Sequence, residues 1–292
     1  MVLGKIRSDY VYASDKEELN FADYSKLKTT SVSGNGMKII IPCDTLCIED
    51  SAFEDCEGLA EIDIHDSVEK IGDKAFSGCR GLTNVVIPDS VTEIGEEAFR
   101  SCSGLTNIVI SNSVTEIRER VFRECNGLTS IVIPKSVTKI GNGTFSICYG
   151  LINLEIPDSV IEIGDEIFLG CKNLISVAIK GPVKKIGEKT FCECSKLSNV
   201  VIPDSVTKIG EGAFSCCESM TNIIIPDSVT EIGKGAFYGC ESLTGIVIPD
   251  SVTEIGHRAF ELCNGLLEVS VKSKELLENA CLPEHVRVTE RG

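Results

Sequence analysis

Apolar and polar positions along this chain recur with a period of 23 residues. The stretch Ile87 to Val109 reads I-P-D-S-V-T-E-I-G-E-E-A-F-R-S-C-S-G-L-T-N-I-V, and close copies of it fill most of the sequence. Cys56, Cys79, Cys102, Cys125, Cys148, Cys171, Cys194, Cys217, Cys240 and Cys263 keep this spacing without a slip, and a phenylalanine stands three residues before each. A fixed period of this length predicts a solenoid, in which each repeat covers the apolar face of the next.

The pattern divides each rung into three parts. Alternating apolar positions such as Ile108 and Ile110 have the period of a half-buried strand. Equivalent segments one rung apart stack in register, so they predict one parallel sheet. Pro88, Pro134, Pro157, Pro203, Pro226 and Pro249 lack the N–H that would continue the ladder, and they mark the strand ends. Asp-Ser then favours a turn, and Val91 and Ile94 return apolar groups to the core from the far side. Ala98, Phe99, Cys102 and Leu105 are spaced i, i+1, i+4, i+7, which predicts a short helix. Acidic residues just after the corner glycine, such as Asp73, Glu96 and Asp165, suit a helix N-terminus. The expected fold class is therefore an α/β solenoid with a parallel sheet on the strand face and short helices on the other side. A strand followed by a crossover helix makes the coil right-handed.

The repeat does not cover the ends. Residues 1–37 are expected to be an N-terminal cap or tail, with helical turns within Asp15 to Leu27 and a loop from Ser31 to Gly36. The solenoid occupies 38–272. Residues 273–292 form a C-terminal cap with a helical stretch from Ser273 to Ala280 and a strand at Val286 to Val288.

Charge narrows the partners. With 28 Lys+Arg against 44 Asp+Glu the formal charge is −16, which argues against nucleic acid and anionic membranes. No apolar run is long enough for a spanning helix. Met1 to Asn20 is polar and lacks a signal core. That leaves both a cytosolic protein and one whose leader lies outside this sequence. Ten of the 15 cysteines are explained by the repeat and are expected to be small buried residues with free thiols, favouring a reducing or anaerobic setting. Cys192 and Cys216 are extra to the repeat and stand as candidates for oxidation or a cross-link.

Enzymatic chemistry finds little to stand on. His65, His257 and His285 are far apart in the stack, and the cysteine pairs lack zinc-finger spacing. No phosphate-binding loop or nucleophile elbow appears. The turn carboxylates Asp66, Asp89, Asp158, Asp204, Asp227 and Asp250 give one oxygen donor group per rung, interrupted at Asn112, Lys135 and Gly181. Calcium needs six to eight converging oxygens, so a turn role is expected. No metal or cofactor is called for.

At this point the consensus L-x-x-I-x-I-P-x-S-V-x-x-I-G-x-x-A-F-x-x-C resembles the BspA-like leucine-rich repeat family, over about residues 38–271. The resemblance implies a curved leucine-rich-repeat solenoid. It also implies a surface or secreted protein that adheres to host proteins or cells, and it carries no catalytic residues to transfer.

The positions that packing constrains least face outward on the strand side. One column holds Asn84, Asn107, Ser130, Asn153, Asn199 and Asn222. Two residues on, another holds Val86, Val109, Val132, Glu155, Val201, Ile224 and Val247. These thirteen are the candidate ligand-binding face. Two apolar stripes, Val86–Val132 and Val201–Val247, are edged by amides and suit a protein ligand, such as a host or extracellular-matrix protein. The same residue types also stabilise strands and hydrogen-bond along a ladder, which keeps open an architectural protein that self-associates. The middle rungs depart from the repeat at Arg118, Ser111, Glu155, Ala178, Ile161, Ile167 and Lys180-Gly181-Pro182, through neutral drift or to shape a specific pocket.

Overall fold

A computed structural model describes residues 2–3, 28–32 and 36–291. The chain forms two compact units, one of residues 1–140 with 148–151, the other of 141–147 with 152–292. Each is a parallel β-coil built from the 23-residue rung. The expected helical turns within Asp15 to Leu27 lie outside the described residues.

In the first unit the strand face is one sheet. Gly36–Ile40, Leu59–Asp63, Asn84–Val86 and Asn107–Val109 follow each other in parallel, and Lys28–Val32 pairs antiparallel with Gly36–Ile40. Ser31, Val32 and Gly36, expected in a loop, belong to these strands. In the second unit the strand face is two sheets. Asn153–Ile156, Ser176–Ile179 and Asn199–Val201 form one; Gly245–Val247, Glu268–Val271 and Arg287–Glu290 form the other. The single sheet expected from the repeat is thus interrupted: residues 130–133 and 222–225 carry the strand pattern but no strand.

Each rung also carries a second, two-residue strand that the sequence reading did not assign. Cys47–Ile48, Lys70–Ile71 and Glu93–Ile94 pair in parallel, as do Glu116–Ile117 with Lys139–Ile140. In the second unit Lys185–Ile186, Lys208–Ile209, Glu231–Ile232 and Glu254–Ile255 repeat the pattern. This ladder breaks between Glu93–Ile94 and Glu116–Ile117, where Arg118 replaces the corner glycine. The reason is steric. A Cβ at the equivalent Gly95 would stand 2.4 Å from the Asp73 nitrogen and the Gly72 carbonyl carbon of the preceding rung. It breaks again between Glu162–Ile163 and Lys185–Ile186. There Lys184 replaces the threonine whose hydroxyl elsewhere donates to the preceding rung, as Thr230 does to the Thr207 carbonyl at 3.2 Å.

The short helices expected over Ala98 to Leu105 and its copies are absent; these segments are runs of tight turns. Among the described residues the only helical segment is a 3-10 turn at Lys274–Leu277, shorter than the stretch expected there. The backbone explains why. The N–H groups of Lys74, Phe76 and Gly78 donate across to the carbonyls of Glu96, Ala98 and Arg100 one rung on, at 2.7–2.8 Å. Only the intervening Ala75, Ser77 and Cys79 fold back three residues. A helix needs every N–H for itself. The residues two before and two after each phenylalanine also have positive φ, for example Glu97 and Ser101 at 56°. A left-handed residue cannot continue a right-handed helix. Six of these places are glycine; the rest are not, and they include the β-branched Ile147, at a cost of about 1 kcal/mol or more each.

The core is still the one the pattern marks. Ala98, Phe99, Cys102 and Leu105 are all fully buried. The phenylalanines stack with near-parallel rings, Phe53 on Phe76 and Phe191 on Phe214 at 5.2 Å between centroids. The repeat cysteines do more than fill space. Cys102 Sγ donates to the Phe76 carbonyl at 3.1 Å, and the same bond recurs from Cys79 to Cys263, linking each rung to the one before. All are free thiols. The acidic residues after the corner glycine do not cap helices: Asp73 Oδ1 accepts the Glu96 N–H of the next rung at 2.8 Å, and Asp165 Oδ1 accepts that of Glu188 at 3.0 Å.

At the C-terminal end Arg287–Glu290 adds a strand to the sheet. The Arg291 guanidinium pairs with Asp250 at 2.8 Å and donates to the Ile248 carbonyl.

Two predictions follow from this packing. Gly95→Ala will lower stability by about 1–3 kcal/mol, because its Cβ meets backbone. Gly58→Ala, whose Cβ meets nothing within 4 Å, will be neutral or stabilising by up to about 1 kcal/mol. Equal denaturation midpoints for the two variants would contradict the steric reading.

The second concerns pH. Burial pushes the Cys102 and Cys148 thiols up from 9.0 to about 12, and Cys56 and Cys263 to about 11. The folded chain then keeps protons that the unfolded chain releases above pH 9. This stability is complete below pH 9 and is lost as pH rises toward 11 to 12, by about 1.4 kcal/mol per pH unit for each thiol. Urea midpoints should hold steady to about pH 8.5 and fall steeply above it, and alanine at several of these cysteines should flatten the fall. An unchanged slope in such variants would show that other groups carry the effect.

Candidate functional site

The strand face is set by alternation. Ile108 and Ile110 point inward and are buried, so Val109 between them faces out. The same holds in every rung where the pattern repeats. Asn84, Asn107, Ser130, Asn153, Asn199 and Asn222 are exposed, and so are Val86, Val109, Val132, Glu155, Val201, Ile224 and Val247. All thirteen candidate residues thus lie on the solvent side of their rungs.

Register brings them together within each unit. In the first, Asn84 lies opposite Asn107 and Val86 opposite Val109. In the second, Asn153, Ser176 and Asn199 align, beside Glu155, Ala178 and Val201. The most open side chains are Ile224 at 84% and Val132 at 81% exposure, against 50% for Val109. These two occupy the rungs that lack strand pairing. The amides do not zip into a continuous ladder among the described residues. Asn84 donates to its own neighbour Thr83 at 3.2 Å, and Asn153 accepts from Ser176 at 2.7 Å.

Charge is scarce on this face. From Asn84 to Val132 the two columns carry none. In the second unit Glu155 pairs with Lys180 at 2.7 Å, with both side chains more than half exposed. Farther along, Glu268 is held below the usual carboxylate range by the Arg287 guanidinium and the Thr289 hydroxyl.

Sequence reasoning missed two residues. Where Glu155 and Ala178 interrupt the second unit's stripe, Ile152 and Ile175 are 40% and 44% exposed in the column three residues earlier. In five other rungs this column holds threonine and in one Ser198; the Thr106 hydroxyl donates to the Thr83 carbonyl at 3.1 Å. Isoleucine in a hydrogen-bonding threonine column was the available signal. The apolar surface is shifted sideways there, not lost.

Other chemistry is not assembled. His65 makes only a local turn contact, its Nδ1 3.2 Å from Ser67 Oγ. Among the described residues no group of three His, Cys, Asp or Glu is placed to hold a metal ion, and no helix is long and apolar enough to cross a membrane.

Comparison with known proteins agrees with this architecture. The BspA type leucine-rich repeat region, in 6 copies, matches residues 31–152 and 140–267. A leucine-rich repeat protein from Bacteroides ovatus is 29% identical with a TM-score of 0.55, covering 87% of this chain and 84% of its own. The leucine-rich repeat protein of T. pallidum is 30% identical with a TM-score of 0.51, over 66% of this chain and 87% of its own. The pneumococcal vaccine antigen PcpA shares the fold at 21% identity with a TM-score of 0.61, over 86% of this chain and 73% of its own. No curated protein matches the sequence. With its matched regions covering most of the chain, this protein belongs to the BspA-type leucine-rich repeat family.

Proposed function

We propose that the chain is a non-enzymatic scaffold that holds a protein ligand on its strand face, with residues 1–37 and 273–292 closing the ends of the repeat. One observation carries this reading. Val86, Val109 and Val132 in the first unit and Val201, Ile224 and Val247 in the second are 50–84% exposed, each two residues after an uncharged Asn, Ser or Gly, on a chain of net charge −16. Contiguous exposed apolar residues rimmed by polar groups are the composition of a protein interface. The setting of adhesion or host-protein binding rests on the family resemblance.

The test is a fourfold variant in which Val109, Val132, Val201 and Ile224 are replaced by Asp. Covering a Val or Ile contributes about 1.5–3 kcal/mol, so affinity for a captured ligand will fall by about 100-fold or more. Circular dichroism will still report the parent fold, because none of the four is in the core, and the melting temperature will fall only modestly, through poorer strand formers and like charges on adjacent rungs. Undiminished capture by the folded variant would remove the strand face from the site. Sedimentation of the parent chain separates the architectural alternative, self-association through the end caps or the same stripes, which a monomer at high concentration would contradict.

A further inference from the structure

On the turn side of the second unit, two cysteines stand outside the buried ladder. Cys192 directly follows Phe191, and Cys216 lies two residues beyond Phe214 of the next rung; both are half-buried free thiols. The residue in register with Cys192 is Ser215, and the Glu193 N–H donates to the Ser215 carbonyl at 2.8 Å, which fixes the two rungs together. The Ser215 hydroxyl is 3.7 Å from Cys216 Sγ. One rung spacing and one residue along the chain put the two Cα atoms roughly 6 Å apart, inside the range a disulfide spans. Cys216 Sγ rests over Gly239, where a Cβ would lie 3.4 Å away, so the residue in register on the next rung places no side chain on it. The ten repeat thiols, by contrast, are buried.

We infer that Cys192 and Cys216 are a modification site, a dithiol that closes to a disulfide between adjacent rungs on exchange with a glutathione-type disulfide. The Cys216 thiolate, which faces the glycine of the next rung, attacks one sulfur of the small disulfide and expels a glutathione thiolate. The Cys192 thiolate then attacks Cys216 Sγ and expels the second. Two protein thiols are oxidised and one glutathione disulfide is reduced to two glutathiones, which take up the two protons. The bond would prevent those two rungs from parting, and in a stack where each rung contacts only its neighbours that divides the unit's fraying into separate segments. The site is independent of the strand face.

The full chain, incubated with oxidised glutathione and then alkylated, will lose these two thiols together. Its mass will fall by two hydrogens without retained glutathione, and a reducible crosslink will join the peptides of Cys192 and Cys216. Cys192→Ser will leave Cys216 holding glutathione, and Cys216→Ser will leave Cys192 reduced. Serine is native to both columns, at Ser77 and Ser146 for the first and Ser101 for the second, so both variants keep the fold, which circular dichroism checks. A stable glutathione adduct at Cys216 beside an alkylatable Cys192 in the parent chain would overturn the inference. So would oxidation confined to Cys43, Cys47 or Cys281.

Discussion

Each rung of this protein depends on backbone hydrogen bonds made to the next. Along the turn side, alternate N–H groups leave their own segment and donate to the equivalent backbone one rung on, as Glu97 does to Glu119, Phe99 to Val121 and Ser101 to Arg123. This arrangement dictates the rest. It requires left-handed residues on both sides of the phenylalanine, glycine at the corner where backbones meet, and side chains that repeat every 23 residues so that like stacks on like. Buried backbone groups without partners would be costly. The stack satisfies them only because its neighbour is nearly identical.

Side chains reinforce the same direction. The cysteine thiol, the turn serine, the threonine hydroxyl and the acidic residue after the corner each bridge to an adjacent rung. Each such bond contributes modestly, about 0.5–1.5 kcal/mol. Their repetition, with the phenylalanine stack, makes stability accumulate with rung number. Where a column loses its residue, at Arg118 or at Lys184, the short ladder breaks beside the change.

Most of the core and the outward columns could be read from the sequence, because burial in a strand follows period two and the repeat shows which phase is inside. Ala98, Phe99, Cys102 and Leu105 were identified as core although their backbone was misjudged. Their spacing suits a helix, but chained three-residue turns place the same residues inward. The evidence against a helix lay in φ at Glu97, Ser101 and their copies, and charged or polar residues there carry no sign of positive φ. Glycine at Gly143, Gly212 and Gly235, and at Gly78, Gly170 and Gly239, was the one trace of it. The interrupted strand face was equally hidden, since Ser130–Ile133 and Asn222–Ile225 have unremarkable strand patterns.

The thiol-to-carbonyl bond gives the stack a polarity with an evolutionary consequence. Each rung offers a cysteine donor backward and a phenylalanine carbonyl forward. Unequal crossing-over that adds or removes one whole repeat therefore leaves every donor opposite an acceptor, whatever the outward columns carry. A slip by part of a repeat would misalign every contact beyond it. The gene can lengthen or shorten the outward strand face in whole units, and can change the outward residues rung by rung, without redesigning the interior.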